Sequence, residues 1–271
     1  MGAQITFIGG GNMASAIIQG LLARSHPAED IAVVEPLAEV RERLQATLGV
    51  RVHAQAGAWM EHANTVVWAV KPQVFQQAAE QSRAHIGAAL HLSVAAGIPS
   101  SSITRWLGSA RVVRAMPNTP ALIGKGITAL YAGPVITASE RASVEQIVST
   151  TGEWLWVTQE DLLDAVTAIS GSGPAYVYFF MEAMTAAGTA MGLTAEQAYR
   201  LTVSTFIGAS ALAQASTDAP EVLRQRVTSK GGTTHAAISS MEASGIKPAF
   251  ERALRAARDR AQAMGAEFGS S

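Results

Sequence analysis

The stretch ITFIGGGNMASAIIQGLL, residues 5–22, limits what this chain can fold into more than any other segment. A short β-branched run enters a glycine turn and leaves it as a helical pattern, with Gly9, Gly11 and Ala14 in the spacing G-x-G-x-x-A. By itself that spacing is weak, because glycine-rich turns are common. Set between a strand and a helix it is strong. Gly9 permits the tight turn, Gly11 lets the backbone approach a pyrophosphate, and Ala14 lets the helix pack closely on the strand. The amides that open the helix then face a dianionic group, which the positive end of the helix dipole favours. A dinucleotide is the expected ligand, held along Ile8, Gly9, Gly10, Gly11, Asn12 and Met13.

More short apolar runs follow: IAVVE (31–35), TVVWAV (65–70), LHLSVAA (90–96) and RVVRAM (111–116). They alternate with helical patterns, notably at 12–24, 37–48 and 72–84. Near-continuous apolar strands between helices mean a parallel sheet covered on both faces, an α/β, Rossmann-type doubly wound sheet. GITALYA (126–132) and GEWLWV (152–157) are expected to add edge strands or a β-ribbon. From about residue 161 the pattern becomes a series of helices, broken at Gly171-Ser172-Gly173-Pro174, Gly192, Pro220, Gly231-Gly232 and Gly245/Pro248. The expected organisation is a dinucleotide-binding domain over residues 1–160 and an all-α domain over 161–271. Segments such as STFIGASALAQA (204–215) are apolar on more than one face, so burial against a second subunit is expected. The tail EFGSS (267–271) is expected to fray.

With 48% hydrophobic and 15% charged residues, the 271-residue chain can bury a sizeable core and lies far from the disordered range. A formal net charge of −1 gives no general attraction to nucleic acid or to an acidic membrane surface. Zero cysteines exclude disulfides and thiolate chemistry, which suits a reducing compartment. The start MGAQITFIGGGNM has neither the basic residues nor the apolar run of a signal peptide. AYVYFFMEAM (175–184) carries Glu182 and is too short to span a bilayer. A soluble cytoplasmic protein is the expectation. The histidines form no HExxH, and no carboxylate constellation points to a metal.

Along the expected cofactor, the second strand ends at Glu35-Pro36, the usual place for an acid that bonds the adenosine ribose. A carboxylate there favours NAD(H), because it repels a 2′-phosphate. Arg41 and Arg43 follow on a helix, where a solvated face is the plainer role. Ala69, Val70, Lys71 and Pro72 end another strand over the cofactor, and Lys71 there meets phosphate or ribose or simply caps the strand. Ala95, Ala96 and Gly97 are small enough for a flat ring to lie against the backbone.

VTSKGGTTHAAI (227–238) interrupts the helical half. Glycine in a helix interior costs about 1 kcal/mol against alanine, so two in succession mark a turn. That turn is either a plain helix–helix connection with threonine caps or a place where backbone amides collect for an anion.

Six segments together resemble the pyrroline-5-carboxylate reductase family: FIGGGNMASAI (7–17), AVKPQ (69–73), VAAGI (94–98), RAMPNTPALIGKGITALYA (114–132), SGSGPAYVYFFMEAM (170–184) and VTSKGGTTHAAI. They occur in the family's order over nearly the whole chain. The resemblance implies reduction of 1-pyrroline-5-carboxylate to proline by NADP(H) or NAD(H), the last step of proline synthesis. It also implies a helical domain that interlaces with a partner's, giving a homodimer or a larger homo-oligomer. In that chemistry Gly231, Gly232 and the helix after them suit a clamp for the substrate carboxylate, shared with Thr233 and Thr234. Thr234 is the candidate catalytic residue, orienting the ring nitrogen and helping to deliver a proton. The resemblance also puts Glu160 beside the substrate, with a solvated acid as its plainer role. Asn118 in MPNTP either bonds the nicotinamide amide or holds its own loop. SGSGPAY is expected to be a tight helix entry with Pro174 in the first turn, and Ser170 and Ser172 are candidate caps or site-lining hydroxyls. His235 sits in a first helical turn, where a cation is disfavoured.

Three departures bear on these expectations. Lys230 stands where many members have proline, Val34-Glu35 stand where NADPH-preferring members meet the 2′-phosphate, and Ala56 replaces an asparagine near the adenosine; the last two weaken the case for strict NADPH preference. The rival enzymatic reading, a β-hydroxyacid dehydrogenase, needs a lysine that SGSGPAYVYFFMEAM does not offer. A non-catalytic nicotinamide-binding sensor would have no use for a second anion-cradling turn.

Overall fold

The computed structural model describes residues 4–269. From the N-terminal side the elements are β1 (Ile5–Ile8), α1 (Asn12–Ala23), β2 (Ile31–Val34), α2 (Ala38–Leu48), β3 (Arg51–His53), β4 (Thr65–Trp68), α3 (Pro72–Ser82) and β5 (Leu90–Ser93). Next come α4 (Ser100–Leu107), β6 (Val112–Met116), β7 (Gly126–Ala132), α5 (Ala138–Val148), β8 (Gly152–Trp156) and α6 (Leu162–Val166). The remaining helices are α7 (Gly173–Ala190), α8 (Ala195–Gln214), α9 (Pro220–Arg226), α10 (Thr233–Ala243) and α11 (Ile246–Gly269).

The eight strands form one sheet in the order β3-β2-β1-β4-β5-β6-β7-β8, parallel throughout except between β6 and β7. Successive side chains of a strand point to opposite faces, so a sheet covered on both sides needs strands without alternation. β1 shows this directly. Phe7 packs with Ile17, Ile18, Leu44 and Val144 on one face, whereas its neighbour Ile8 joins Trp68, Phe75, Ile103 and Trp106 on the other. Burying a phenylalanine such as Phe7 or Phe75, each 0% exposed, contributes about 1.5–3 kcal/mol.

β1, β2, β4, β5 and β8 stop one to three residues before their apolar runs do, whereas β6 and β7 end with theirs. Glu35, Ala69 and Val94 make the last bonds to neighbouring strands, to His53 O, Ile8 O and Trp68 O, and the chain beyond them forms the rim of the sheet. β3 escaped the sequence reading because it has three residues, two of them polar and none fully buried. GITALYA and GEWLWV do not form a ribbon. They are β7 and β8, paired in parallel, with α5 as the crossover between them. That helix starts with a capping box, in which Thr137 Oγ1 accepts the Glu140 amide and the Glu140 carboxylate accepts the Thr137 amide.

The chain divides into two compact units. The first runs to Ser172 and takes in the described residues from Ala257; the second is Gly173–Ala256. α6 and the π turn Thr167–Gly171 that follows it thus lie with the sheet, where Leu163 is 1% exposed. In the second unit Gly188 of α7 faces Ala198 of α8, and Phe250 meets Tyr176 and Phe180 edge-on at 5.7 and 5.6 Å. Helix α11 continues through Glu267, Phe268 and Gly269, so those residues do not fray. Arg260 pairs with Glu267 at 2.6 Å there, and the last two residues of EFGSS lie outside the described residues.

Candidate active site

The glycine loop sits where the sheet order reverses, between β1 and β4, the usual ligand crevice of such sheets. Gly9 has φ +96°, and a Cβ on it would lie 2.7 Å from the Ala69 carbonyl oxygen, so glycine is required. Its amide donates to Val34 O at 2.8 Å. The Gly10 amide donates to Glu35 Oε2 and the Leu37 amide to Glu35 Oε1, both at 2.9 Å. Arg41 Nη1 donates to the carbonyls of Glu35 (2.8 Å) and Pro36 (2.7 Å), so this arginine is not simply solvated.

A cleft of about 1010 Å³ opens here, lined among others by Ile8, Gly9, Gly10, Gly11, Glu35, Pro36, Ala69, Val70 and Lys71. Asn12 and Met13 open α1, and Pro72 opens α3, just outside that lining. The first helical bond of α1 runs from Ser15 N to Gly11 O, which leaves the amides of Asn12, Met13 and Ala14 ahead of it. Gly11 faces open space. These features fit a dinucleotide with its pyrophosphate at α1. The sequence reading missed the far wall: Ala54 and Gln55 after β3, Val74, Gln77 and Gln81 of α3, and His85. The spacing 74, 77, 81 is one helix face, a signal that was present but that does not by itself distinguish a cleft wall from a solvated surface.

Beyond β5, Ala95 and Gly97 are buried and Ala96 is partly exposed; none of the three lines the large cleft. Asn118 Oδ1 accepts the Ile127 amide at 3.0 Å, which ties the 3₁₀ turn Thr119–Ile123 to β7. Glu160 accepts the Ser100 amide and hydroxyl, each at 2.6 Å, and Arg114 Nη1 at 2.8 Å. Burial alone would raise the Glu160 pKa, but the Ser100 and Arg114 bonds outweigh it and hold the carboxyl below its usual range. The pair borders a second cavity, of about 430 Å³, with Gly97, Asp161, Asp164 and Gln262. Burial raises the Asp164 carboxyl, opposed by Arg114. Neither Arg114 nor Ser100 was legible as functional; one sits mid-strand and the other in a serine run after Pro99.

The turn at 231–234 belongs to the second unit. Gly231 has φ +75° with open space about it, and Gly232 caps α10. The first bond of α10 is Ala236 N to Gly232 O, so the amides of Thr233, Thr234 and His235 precede it. Gly231, Thr233, His235 and Lys230 are exposed, Gly232 and Thr234 partly so. This is a helix start with free amides and two hydroxyls, an arrangement that can receive a carboxylate. Ser170 Oγ donates to Val166 O at 3.1 Å, a bond within its own helical turn. Among the described residues, no group of three or more His, Cys, Asp or Glu is placed to hold a metal ion, and no helix is long and apolar enough to cross a membrane.

Comparison with known proteins adds an independent line. Residues 160–264 match the family model described as pyrroline-5-carboxylate reductase dimerisation, and residues 4–97 match the one described as NADP oxidoreductase, coenzyme F420-dependent. The chain is 42% identical over 268 residues to a pyrroline-5-carboxylate reductase of Pseudomonas aeruginosa, covering 98% of each. Among solved structures it is similar to a pyrroline-5-carboxylate reductase of Coxiella burnetii, with a TM-score of 0.90 and 37% identity over 97% of this chain and 98% of that one. It is also similar to the pyrroline carboxylate reductase of Plasmodium falciparum, solved with NADP bound, with a TM-score of 0.87 and 26% identity over 97% of this chain and 98% of that one. A glycine loop at a sheet's switch point, a helical half that matches a dimerisation model, and identity along nearly the whole length lead to one conclusion: the chain belongs to the pyrroline-5-carboxylate reductase family, NAD(P)-dependent oxidoreductases of proline biosynthesis.

Proposed function

We propose that this chain reduces 1-pyrroline-5-carboxylate to L-proline, with the glycine loop serving the cofactor and the turn at 231–234 serving the substrate. The observation that supports the cofactor half is the cleft at the switch point, with Gly9 in a conformation only glycine tolerates and free amides at the start of α1. A reduced dinucleotide held by Gly9, Gly11 and the amides that open α1 would supply a hydride to the imine carbon, and the ring nitrogen would end as an amine after taking one proton. The substrate carboxylate is received, from either subunit of the oligomer, by the amides of Thr233, Thr234 and His235, since the Gly232 amide donates to Ser229 O. Thr234 orients the ring nitrogen. A threonine hydroxyl is a poor acid, so the proton enters with an already protonated imine or through water. Positioning of this kind supplies on the order of 7–11 kcal/mol at best.

For the choice of nicotinamide, the Glu35 carboxylate favours NADH because it repels a 2′-phosphate. Arg41 beside it keeps NADPH admissible. As the working assembly we propose a homodimer or a multiple of it, and as its location the cytoplasm. Initial rates with NADH and NADPH, with pyrroline-5-carboxylate as acceptor, test this reading. We expect turnover with both, and a shift of about tenfold toward NADPH in Glu35→Gln, the size of roughly 1.4 kcal/mol. No turnover with either cofactor removes the reading; an unchanged ratio removes Glu35 from the ribose.

A further inference from the structure

We infer that Arg114 is a positioning residue for the nicotinamide: it fixes Glu160, and Glu160 fixes the turn between β5 and α4. This rests on the hydride-transfer reading above and on the sequence expectation that a flat ring lies against the small residues Ala95, Ala96 and Gly97.

Arg114 lies in the middle of β6 and is 8% exposed. A buried guanidinium is costly unless it is paired, and its partner is Glu160. The Glu160 carboxylate does more than neutralise it. Oε1 accepts both Arg114 Nη1 and the Ser100 amide, and Oε2 accepts the Ser100 hydroxyl. One carboxylate thus ties a sheet strand to the first residue of α4.

The turn so held is packed through Ala95 and Ile98, and Ala95 N donates to Ser93 Oγ at 3.4 Å, but it has few backbone–backbone bonds. Its backbone bonds leave the sheet at Val94 N to Trp68 O, 3.0 Å, and resume at Ser102 N to Pro99 O, 3.1 Å. Gly97, with φ +73°, lies between, and the Glu160 tie closes the far end of this span. Gly97 and Arg114 also border the 430 Å³ cavity, and Arg114 Nε lacks a hydrogen-bond partner. In this arrangement the guanidinium's function is to aim Glu160 at Ser100.

The adenosine half of the cofactor is anchored elsewhere, at Gly9–Gly11 and Glu35. Loosening the β5–α4 turn therefore leaves cofactor affinity nearly unchanged and misplaces the ring. A displacement of about 1 Å costs on the order of 100-fold in rate.

The test uses the full-length oligomer and two variants. The double variant Arg114→Met, Glu160→Leu removes the pair together, an exchange that is often neutral for folding. Ser100→Ala removes only the hydroxyl bond and touches no charge. In each, thermal stability, dissociation constant of reduced cofactor, nicotinamide fluorescence in the binary complex and the deuterium isotope effect on kcat are measured. For the double variant we expect cofactor affinity and KM for the pyrroline substrate within about threefold of wild type, nicotinamide fluorescence shifted toward that of free cofactor, and hydride transfer slower by roughly 10- to 100-fold. Ser100→Ala moves the same way by less.

Wild-type fluorescence and transfer rate in a folded double variant would overturn the inference. So would a raised substrate KM at unchanged kcat, which would make Glu160 a substrate ligand. If the double variant does not fold, Ser100→Ala decides alone: unchanged fluorescence and rate refute the tether. If wild-type protein binds reduced cofactor without reducing the pyrroline, the functional reading fails instead, and the binary-complex fluorescence still decides the tether.

Discussion

Glu35 uses one carboxylate twice, at Gly10 N and Leu37 N, and so holds the glycine loop against the start of α2. The position of that acid at a strand's end is legible in the sequence. Its partners are not, because β1 and β2 must pair before Gly10 and Glu35 come within reach. His91 is a residue for which the sequence offered no signal at all. It is 2% exposed, its Nδ1 accepts Trp68 Nε1 at 3.3 Å, and burial, then Arg111, lowers its pKa from 6.5 to about 4. The folded state therefore prefers the neutral ring. The corresponding stability is present above pH 6.5 and is lost as pH falls from 6.5 toward about 4. In total the loss is about 3 kcal/mol. Denaturant unfolding across this window should show a steeper fall for wild type than for His91→Gln; equal falls would contradict the assignment.

At the level of elements, the proposed substrate clamp is the first turn of α10. Gly231 needs φ +75° and has open space around it, so Gly231→Ala is penalised only by backbone conformation, about 1–2 kcal/mol. Thr234→Ala leaves the backbone alone and removes the one bond proposed to a charged substrate, worth about 1.5–3 kcal/mol. We therefore expect Thr234→Ala to lower kcat/KM by roughly 10- to 100-fold at unchanged cofactor affinity and unchanged thermal stability. A wild-type rate would remove the hydroxyl from the mechanism. Some element boundaries were legible from capping chemistry, as with Thr194 and Gln197 at the start of α8. β3 and α4 were not: short elements carry too few periodic positions to stand out.

For the molecule as a whole, the decisive feature is apolar surface that the second unit leaves uncovered. Tyr178, Phe179, Ile207 and Leu212 are 57–71% exposed in the single chain. Large exposed apolar patches mark interaction surfaces, and residues 160–264 match a dimerisation model. A homo-oligomer follows. Sedimentation of dilute protein should give a dimer or larger. Phe179→Asp with Ile207→Asp should produce smaller or aggregated species with lower thermal stability, because a charge placed in an apolar interface is left unpaired. A stable, active monomer would contradict this.

The sequence alone determined the class of fold, the glycine loop, the helical half and one wall of the cleft, from Ile8–Gly11, Glu35-Pro36 and Ala69–Lys71. Each of these depends on periodicity or turn chemistry within a few neighbouring positions. Only the tertiary structure decided how β7 and β8 extend the sheet, which amides Glu35 engages, and that Glu160 reaches Ser100 and Arg114, 60 and 46 residues away. Bonds between such distant residues exist only after strand pairing and helix packing have brought their backbones together, and no local pattern encodes them.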